Sequence, residues 1–142
     1  MKNRCFAALM MVAVLLCMAC PFVSAASFND EANTPATRWA NTSSVSVDIT
    51  FSGNTATYSG NVTGYTGTTQ IVAIFLLERK ESNGSYTEIK RWPAQTTNSA
   101  TLRFADTYSP ITSGNTYRFS VSATVTRNGT SETVNNWVEK KA

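Results

Sequence analysis

The chain has 142 residues, with 12 Lys and Arg, 9 Asp and Glu, three cysteines and no histidine. The lack of histidine excludes Ser-His-Asp and Cys-His nucleophilic sites, and it leaves zinc without its usual imidazole ligand. A formal net charge of only +3 gives no general electrostatic argument for nucleic-acid binding.

The first 25 residues have the pattern of a secretory signal peptide. Lys2 and Arg4 precede the apolar run 6–20, and the small-residue sequence Val23-Ser24-Ala25 follows it. We predict cleavage after Ala25. An apolar run of about 15 residues is too short to span roughly 30 Å of hydrocarbon, which argues against a transmembrane anchor. The mature form is therefore expected to be secreted and to have no membrane span.

Removal of residues 1–25 would change the character of the chain. Cys5, Cys17 and Cys20 would all be lost, so no disulfide would support the secreted product. Lipid attachment at Cys20 is an alternative, but Cys17 stands where a branched aliphatic residue is expected. Without Lys2 and Arg4, the chain would have ten basic and nine acidic residues and would be nearly neutral. The remainder is long enough for one domain that its own core must stabilise.

The predicted organisation continues with a flexible N-terminal segment over 26–42, which is polar and aperiodic and contains Pro35. A β-domain is predicted over 43–139. Its first strand alternates the apolar residues Val45, Val47, Ile49 and Phe51 with polar ones. A weaker alternation over 56–62 predicts a second strand.

The run from Ile71 to Leu77 is apolar at every position. Such a run is typical of a strand covered on both faces. In an antiparallel sheet with one wet face, however, Val72, Ile74 and Leu76 would form an exposed stripe. Of the two, we favour a stripe covered by a loop or by the N-terminal segment.

A turn at 82–85 leads to a strand over 86–92, a polar loop follows over 94–99, and another strand surrounds Leu102. If residues whose numbers sum to 168 pair, Glu78 faces Lys90 and Lys80 faces Glu88. Such pairs would neutralise a hairpin that is otherwise rich in basic residues.

The last hairpin has the most regular alternation, from Tyr117 to Val125, and Asn128-Gly129 suits a type I′ turn. Tyr117, after Ile111 and Gly114, predicts a tyrosine corner, in which the hydroxyl bonds backbone a few residues upstream. About seven short strands predict an all-β fold: a single antiparallel β-sandwich of the immunoglobulin or fibronectin type III kind.

The sequence also resembles a group of small secreted proteins of Gram-positive, clostridial-type anaerobes. The stretches that carry this resemblance are 38–47, 61–71, Trp92 and 114–121. The resemblance implies a secreted all-β domain and implies no activity. Some members of the group place cysteines on the first two strands, where this chain has Val45 and Tyr58.

Catalytic chemistry has little support in the sequence. Paired carboxylates could hydrolyse glycosides, but Asp48 is predicted to face outward with no second acid near it in sequence. The chain has no Asp-x-Asp run of the kind that would indicate a calcium site. We predict no catalytic residue, no metal site and no cofactor.

Aromatic residues are the better indication of function. Trp39, Tyr65 and Trp137 are the candidate ligand-binding residues, because exposed aromatic faces stack on sugars or anchor protein partners. The alternative is that the tryptophans fill the open ends of the core, which we favour for Trp39 and Trp92.

These patterns favour a secreted, non-enzymatic β-sandwich that binds an extracellular glycan, wall polymer or protein, with no nucleic-acid partner. One alternative is a secreted effector or antimicrobial protein. Another is a structural surface component that self-associates through sheet edges or through the stripe of Val72, Ile74 and Leu76.

Overall fold

A computed structural model describes residues 39–142. The predicted signal peptide, Cys20 and most of the N-terminal segment lie outside the described residues. The described range has no helix that could cross a membrane. Its strands are β1 (Thr42–Ser52), β2 (Thr55–Gly64), β3 (Thr68–Lys80), β4 (Tyr86–Arg91), β5 (Gln95–Thr97), β6 (Thr101–Tyr108), β7 (Thr116–Arg127) and β8 (Thr130–Lys141).

The strands form two antiparallel sheets that enclose one core, in the manner of a β-sandwich. The first sheet has the order β1-β2-β6. The second has the order β4-β3-β7-β8, and β5 also pairs with β3. The all-β prediction is confirmed, with eight strands rather than about seven. The additional strand is β5, which lies in the stretch that the sequence predicted as a polar loop.

The core is built from the inward-facing residues of both sheets, as the period of two predicts. Alternate residues of β7 from Tyr117 to Val125 are buried, and so are those of β2 from Ala56 to Val62. Aromatic rings fill the centre: Phe75 stacks on Phe104 with ring centroids 4.2 Å apart. Gly60 lies against the Phe75 ring, so that a side chain on Gly60 would occupy the space of the ring.

Two local predictions for the last hairpin are confirmed. Asn128 and Gly129 have positive φ angles of 50° and 76°, as a type I′ turn requires. The buried Tyr117 hydroxyl accepts a hydrogen bond from the Thr112 N–H at 3.0 Å. This is the upstream backbone contact that the sequence predicted.

The predicted pairing of β3 with β4 is wrong. Glu78 lies opposite Glu88, and Lys80 lies opposite Tyr86. The turn is closed by the Glu81 N–H, which donates to the Ser85 carbonyl at 2.8 Å. This bond places Lys80 opposite Tyr86 instead of the predicted Glu88. A bulge beside Glu78 shifts the register again for the rest of the hairpin.

The charges of this hairpin are nevertheless paired, with partners other than those predicted. Arg118 on β7 donates to Glu78 at 2.8 Å. Lys80 bonds Glu139 on β8 at 3.1 Å. The partners come from β7 and β8 of the same sheet, which pairing within the hairpin alone could not indicate.

The ordered domain extends beyond the predicted limits of 43 and 139. Asn41 and Thr42 are buried, which corrects the prediction that residues up to 42 are flexible. The Glu132 carboxylate on β8 fixes them, because it accepts hydrogen bonds from both of their N–H groups at 3.0 and 3.1 Å. At the other end, the Ala142 N–H donates to the Asn115 carbonyl at 2.9 Å.

Inward-facing polar side chains of β8 close one side of the sandwich, where β8 meets the edge strand β1. They recur every four residues at Glu132, Asn136 and Lys140. The Asn136 amide donates to the Val45 carbonyl at 2.8 Å, and Lys140 bonds Asp48 at 2.6 Å. These bonds orient β8, so that the residues at odd positions between them point outward, while Val134 and Val138 point into the core.

Candidate binding surface

Trp137 lies on the outer face of the five-stranded sheet and is 43% exposed. The residues before and after Trp137 in the sequence fix the direction of its side chain. Asn136 bonds the backbone of β1, and Val138 packs against the core. Because side chains alternate along a strand, the indole between them must point to solvent. Trp137 is therefore neither a core residue nor a loop residue.

Apolar side chains of β3 share this face with Trp137. Ser120 on β7 lies opposite both Trp137 and Leu76, so the three residues form one row across the sheet. In the next row Ile74 is 38% exposed. We call Val72, Ile74, Leu76 and Trp137 the apolar strip. No loop within residues 39–142 covers Ile74. The other predicted cover, the N-terminal segment, lies outside the described range and stays a prediction.

Short hydroxyl side chains lie at the Val72 end of the apolar strip on the same face. Thr124 pairs with Thr133, and their hydroxyl oxygens are 3.2 Å apart. Thr126 pairs with Ser131, with hydroxyl oxygens 2.9 Å apart. Each hydroxyl can donate one hydrogen bond and accept two. This half of the face therefore offers hydroxyl groups that can either donate a hydrogen bond to a ligand or accept one from it.

A network of paired charges borders the other end of the strip. Glu139 accepts bonds from Lys80 and from the Tyr86 hydroxyl. Burial raises the pKa of Glu139, but these bonds outweigh burial and hold the pKa below its ordinary value of 4.5. The Arg118 guanidinium lies 3.6 Å from the centre of the Tyr86 ring and also bonds Glu78. The network leaves the outer face close to neutral.

Tyr65 and Trp39 lie at one end of the sandwich, away from Trp137. Tyr65 is 44% exposed in the loop between β2 and β3, and its N–H donates to the Asn41 carbonyl at 2.9 Å. The Arg127 guanidinium lies 5.8 Å from the centre of the Tyr65 ring. Trp39 is half-buried and packs against the core. The structure thus brings two of the three predicted residues near each other and places the third elsewhere.

Trp92 is a core residue, as we expected. It is 6% exposed, and its indole N–H donates to the Asp106 carboxylate. This bond, together with others from the Thr107 backbone and Lys90, holds the pKa of Asp106 below its ordinary value of 3.8. Lys90 lies 4.7 Å from the centre of the Trp92 ring. Trp92 therefore cannot serve as a binding platform.

The sequence did not indicate that Ser120 lies opposite Trp137, or that the hydroxyl rows share the outer face with it. A signal for them was present, because the Asn128-Gly129 turn fixes the register of β7 with β8 and places Ser120 opposite Trp137. Within residues 39–142, no group of three or more Asp, Glu, His or Cys could hold a metal ion.

Comparisons with known proteins add little to this geometry. No family model matches the chain, and no curated protein matches it. Seven chains of solved structures do match. One is Spo0M, a sporulation control protein from Bacillus subtilis, with 12% identity and a TM-score of 0.40. The match covers 69% of this chain and 49% of that chain, so it spans about half of Spo0M. A likeness this weak supports no inference about function.

Proposed function

We propose that this protein is a secreted, non-enzymatic β-sandwich of the immunoglobulin or fibronectin type III kind that binds an extracellular glycan. The predicted signal peptide and the resemblance to secreted clostridial-type proteins support the location. The observation that carries the binding role is the exposure of Trp137 on the same outer face as two rows of hydroxyl side chains.

The physical basis lies in the mixed character of a sugar ring. Its C–H faces are apolar and can stack on an indole, and its hydroxyls need hydrogen-bond partners. Trp137 supplies an apolar face for one sugar ring. Thr124 and Thr133, about 13 Å away along the strands, supply hydroxyl donors and acceptors for another ring of the same glycan. The paired charges at Glu78, Arg118 and Glu139 favour a neutral ligand over a strongly charged one.

The test is sedimentation of the purified protein with insoluble cell walls and a panel of insoluble polysaccharides. The parent should be depleted from solution by at least one neutral polymer. Trp137→Ala should weaken that binding by about tenfold or more, as expected for a central aromatic anchor. Trp137→Phe should lose less, because a ring remains to stack.

Tyr65→Ala is the matched control, because Tyr65 is an exposed aromatic residue at the end of the sandwich, away from this face. It should bind like the parent. Failure of the parent to bind any polymer would overturn the glycan proposal. So would equal losses for Tyr65→Ala and Trp137→Ala, because binding would then not depend on this face.

Self-association is the second candidate function, and the exposure of Ile74 within the apolar strip favours it. A structural component would bury this strip against a second copy. Sedimentation velocity should then show concentration-dependent dimers that Ile74→Thr abolishes. A monomer at all concentrations would exclude this candidate and leave glycan binding unaffected.

A further inference from the structure

The outer face of the three-stranded sheet holds a shallow groove of about 580 Å³. Six outward-facing residues line it in two rows across β1, β2 and β6. One row is Ser46, Asn61 and Arg103, and the other is Asp48, Ser59 and Ala105. The small residues of the second row leave room above the sheet, and the groove lies on the opposite side of the sandwich from Trp137.

Arg103 provides a positive charge that the described part of the chain does not neutralise. No carboxylate of residues 39–142 forms an ion pair with Arg103, although Asp48 lies on the same face. Asp48 instead bonds Lys140 at 2.6 Å across the edge of the sandwich. A ligand in the groove would thus meet an exposed guanidinium, which suits a planar carboxylate because the two groups can form two parallel hydrogen bonds.

Asn61 provides an acceptor that lacks a donor. Its side-chain oxygen is buried and has no hydrogen-bond partner among the described residues. Its amide nitrogen donates to the Thr63 hydroxyl at 3.2 Å. A buried polar atom without a partner is unfavourable. A ligand hydroxyl or N–H that displaces the groups covering this oxygen and bonds it would therefore satisfy an acceptor that water does not reach.

Asp48 provides a second acceptor at the other end of the groove. The bond from Lys140 holds the pKa of Asp48 below its ordinary value of 3.8, so the group is ionised at neutral pH. Lys140 bonds one carboxylate oxygen, and the other can accept from a ligand. Because Lys140 already balances this charge, a neutral O–H donor suits the position better than a second ammonium group.

The three groups together define the ligand. Arg103 requires an anion, whereas Asn61 and Asp48 require donors. Inorganic phosphate or sulfate offers acceptors almost exclusively, and a second negative charge would face Asp48. A free amino acid would place its ammonium group close to that of Lys140, and the two positive charges would repel each other. A sugar that carries one carboxylate and several hydroxyls satisfies all three groups.

We propose that this groove binds a carboxylated pyranose, such as a hexuronic acid unit of an extracellular polysaccharide. Its carboxylate bonds Arg103, and its ring hydroxyls donate to Asn61 and Asp48. The groove is separate from the surface around Trp137, so an experiment can refute the proposal for one of these sites without refuting the other.

The test is isothermal titration calorimetry of the full chain with the trimer of galacturonic acid, and with the neutral trimer of galactose. The acidic trimer should bind at least about tenfold more tightly, as loss of a charged hydrogen-bonding partner predicts. Arg103→Gln should weaken its binding by about tenfold or more, and Asn61→Ala by several-fold. Near-ultraviolet circular dichroism confirms that each variant is folded.

One variant serves as the control. Arg91→Ala removes the same charge from the other sheet, where Arg91 pairs with Glu88, and should keep the parent affinity. No binding of the acidic trimer, or equal affinity for both trimers, would overturn the proposal. So would an equal loss with Arg91→Ala, or displacement of the trimer by inorganic phosphate at equal concentration.

Discussion

Glu132 fixes the start of β1, and its replacement should destabilise the protein substantially. One carboxylate oxygen accepts from the Ala40 N–H at 2.8 Å. The other accepts from the N–H groups of Asn41 and Thr42 and from the Thr42 hydroxyl, at 3.0 to 3.1 Å. Glu132→Ala leaves these four donors without their acceptor, and Thr42 is 1% exposed. Hydrogen bonds to charged groups contribute about 1.5–3 kcal/mol each, but shared acceptors are not additive.

We therefore expect Glu132→Ala to lower the free energy of unfolding by about 2–4 kcal/mol. Glu132→Gln should lose only about half as much, because its remaining oxygen can still accept from Asn41 and Thr42. Urea denaturation followed by tryptophan fluorescence measures both values. Amide hydrogen exchange at Thr42 should accelerate in the alanine variant, since its N–H loses its partner.

The effect should also depend on pH. Burial is the largest influence on the pKa of Glu132 and raises it, but the hydrogen bonds from Ala40, Asn41 and Thr42 together hold it below the ordinary value of 4.5. A carboxyl whose pKa is lower in the folded state stabilises the protein above its unfolded pKa. This stabilisation is lost as the pH falls through the folded pKa. The gap between the parent and Glu132→Gln should therefore narrow from pH 7 to pH 3.

A gap between the parent and Glu132→Gln that stays constant over this range would refute the linkage. Equal stability of the parent and Glu132→Ala at pH 7 would refute the role of the carboxylate in fixing the start of β1. Thr133→Ala, which changes an exposed neighbour on the outer face, is the control and should change stability by less than about 0.5 kcal/mol.

Three further predictions concern the core and the binding surface. Tyr58→Phe should raise stability by about 1 kcal/mol, because the buried Tyr58 hydroxyl has no partner among the described residues. Tyr117→Phe should lower stability by about 1 kcal/mol, because it removes a hydroxyl that is hydrogen-bonded. Thermal unfolding compares the two variants with the parent. Gly60→Ala should cost about 1–3 kcal/mol in urea denaturation, because the new methyl group overlaps the Phe75 ring. Trp137→Ala should cost less than the roughly 3–5 kcal/mol of a buried tryptophan, because the indole is 43% exposed, and it should remove the component of tryptophan fluorescence most accessible to iodide.

Much of the fold could be predicted because the signals are local. The alternation from Tyr117 to Val125 identifies the inner face of β7, and Asn128-Gly129 identifies the turn that follows. Residues two apart on a strand share a face whatever the partner strand is. The hydroxyl contact of Tyr117 joins residues only five apart in sequence. Trp137, by contrast, was named for its residue type alone, because the sequence did not predict that it lies on the outer face of β8.

The candidate surfaces could be predicted only in part, because they depend on which strands become neighbours. All three of Trp39, Tyr65 and Trp137 were candidates in sequence, with a core position favoured for Trp39. Packing half-buries Trp39 and leaves the other two exposed. The groove was missed altogether. Arg103 and Asn61 face the same space because β6 pairs with β2, although more than 35 residues separate the two strands. No local pattern indicates that pairing.

Local patterns predicted most of the strands, their inner faces and the turn at Asn128-Gly129, since each follows from side chains close together in the chain. The β3–β4 register, the added strand β5 and the fixing of Asn41 by Glu132 became apparent in the tertiary structure. The first two depend on how neighbouring strands pair with β3 within its sheet. The third joins residues 91 positions apart and forms only when the two sheets pack, so its energy is set by burial and by a partner that no short segment contains.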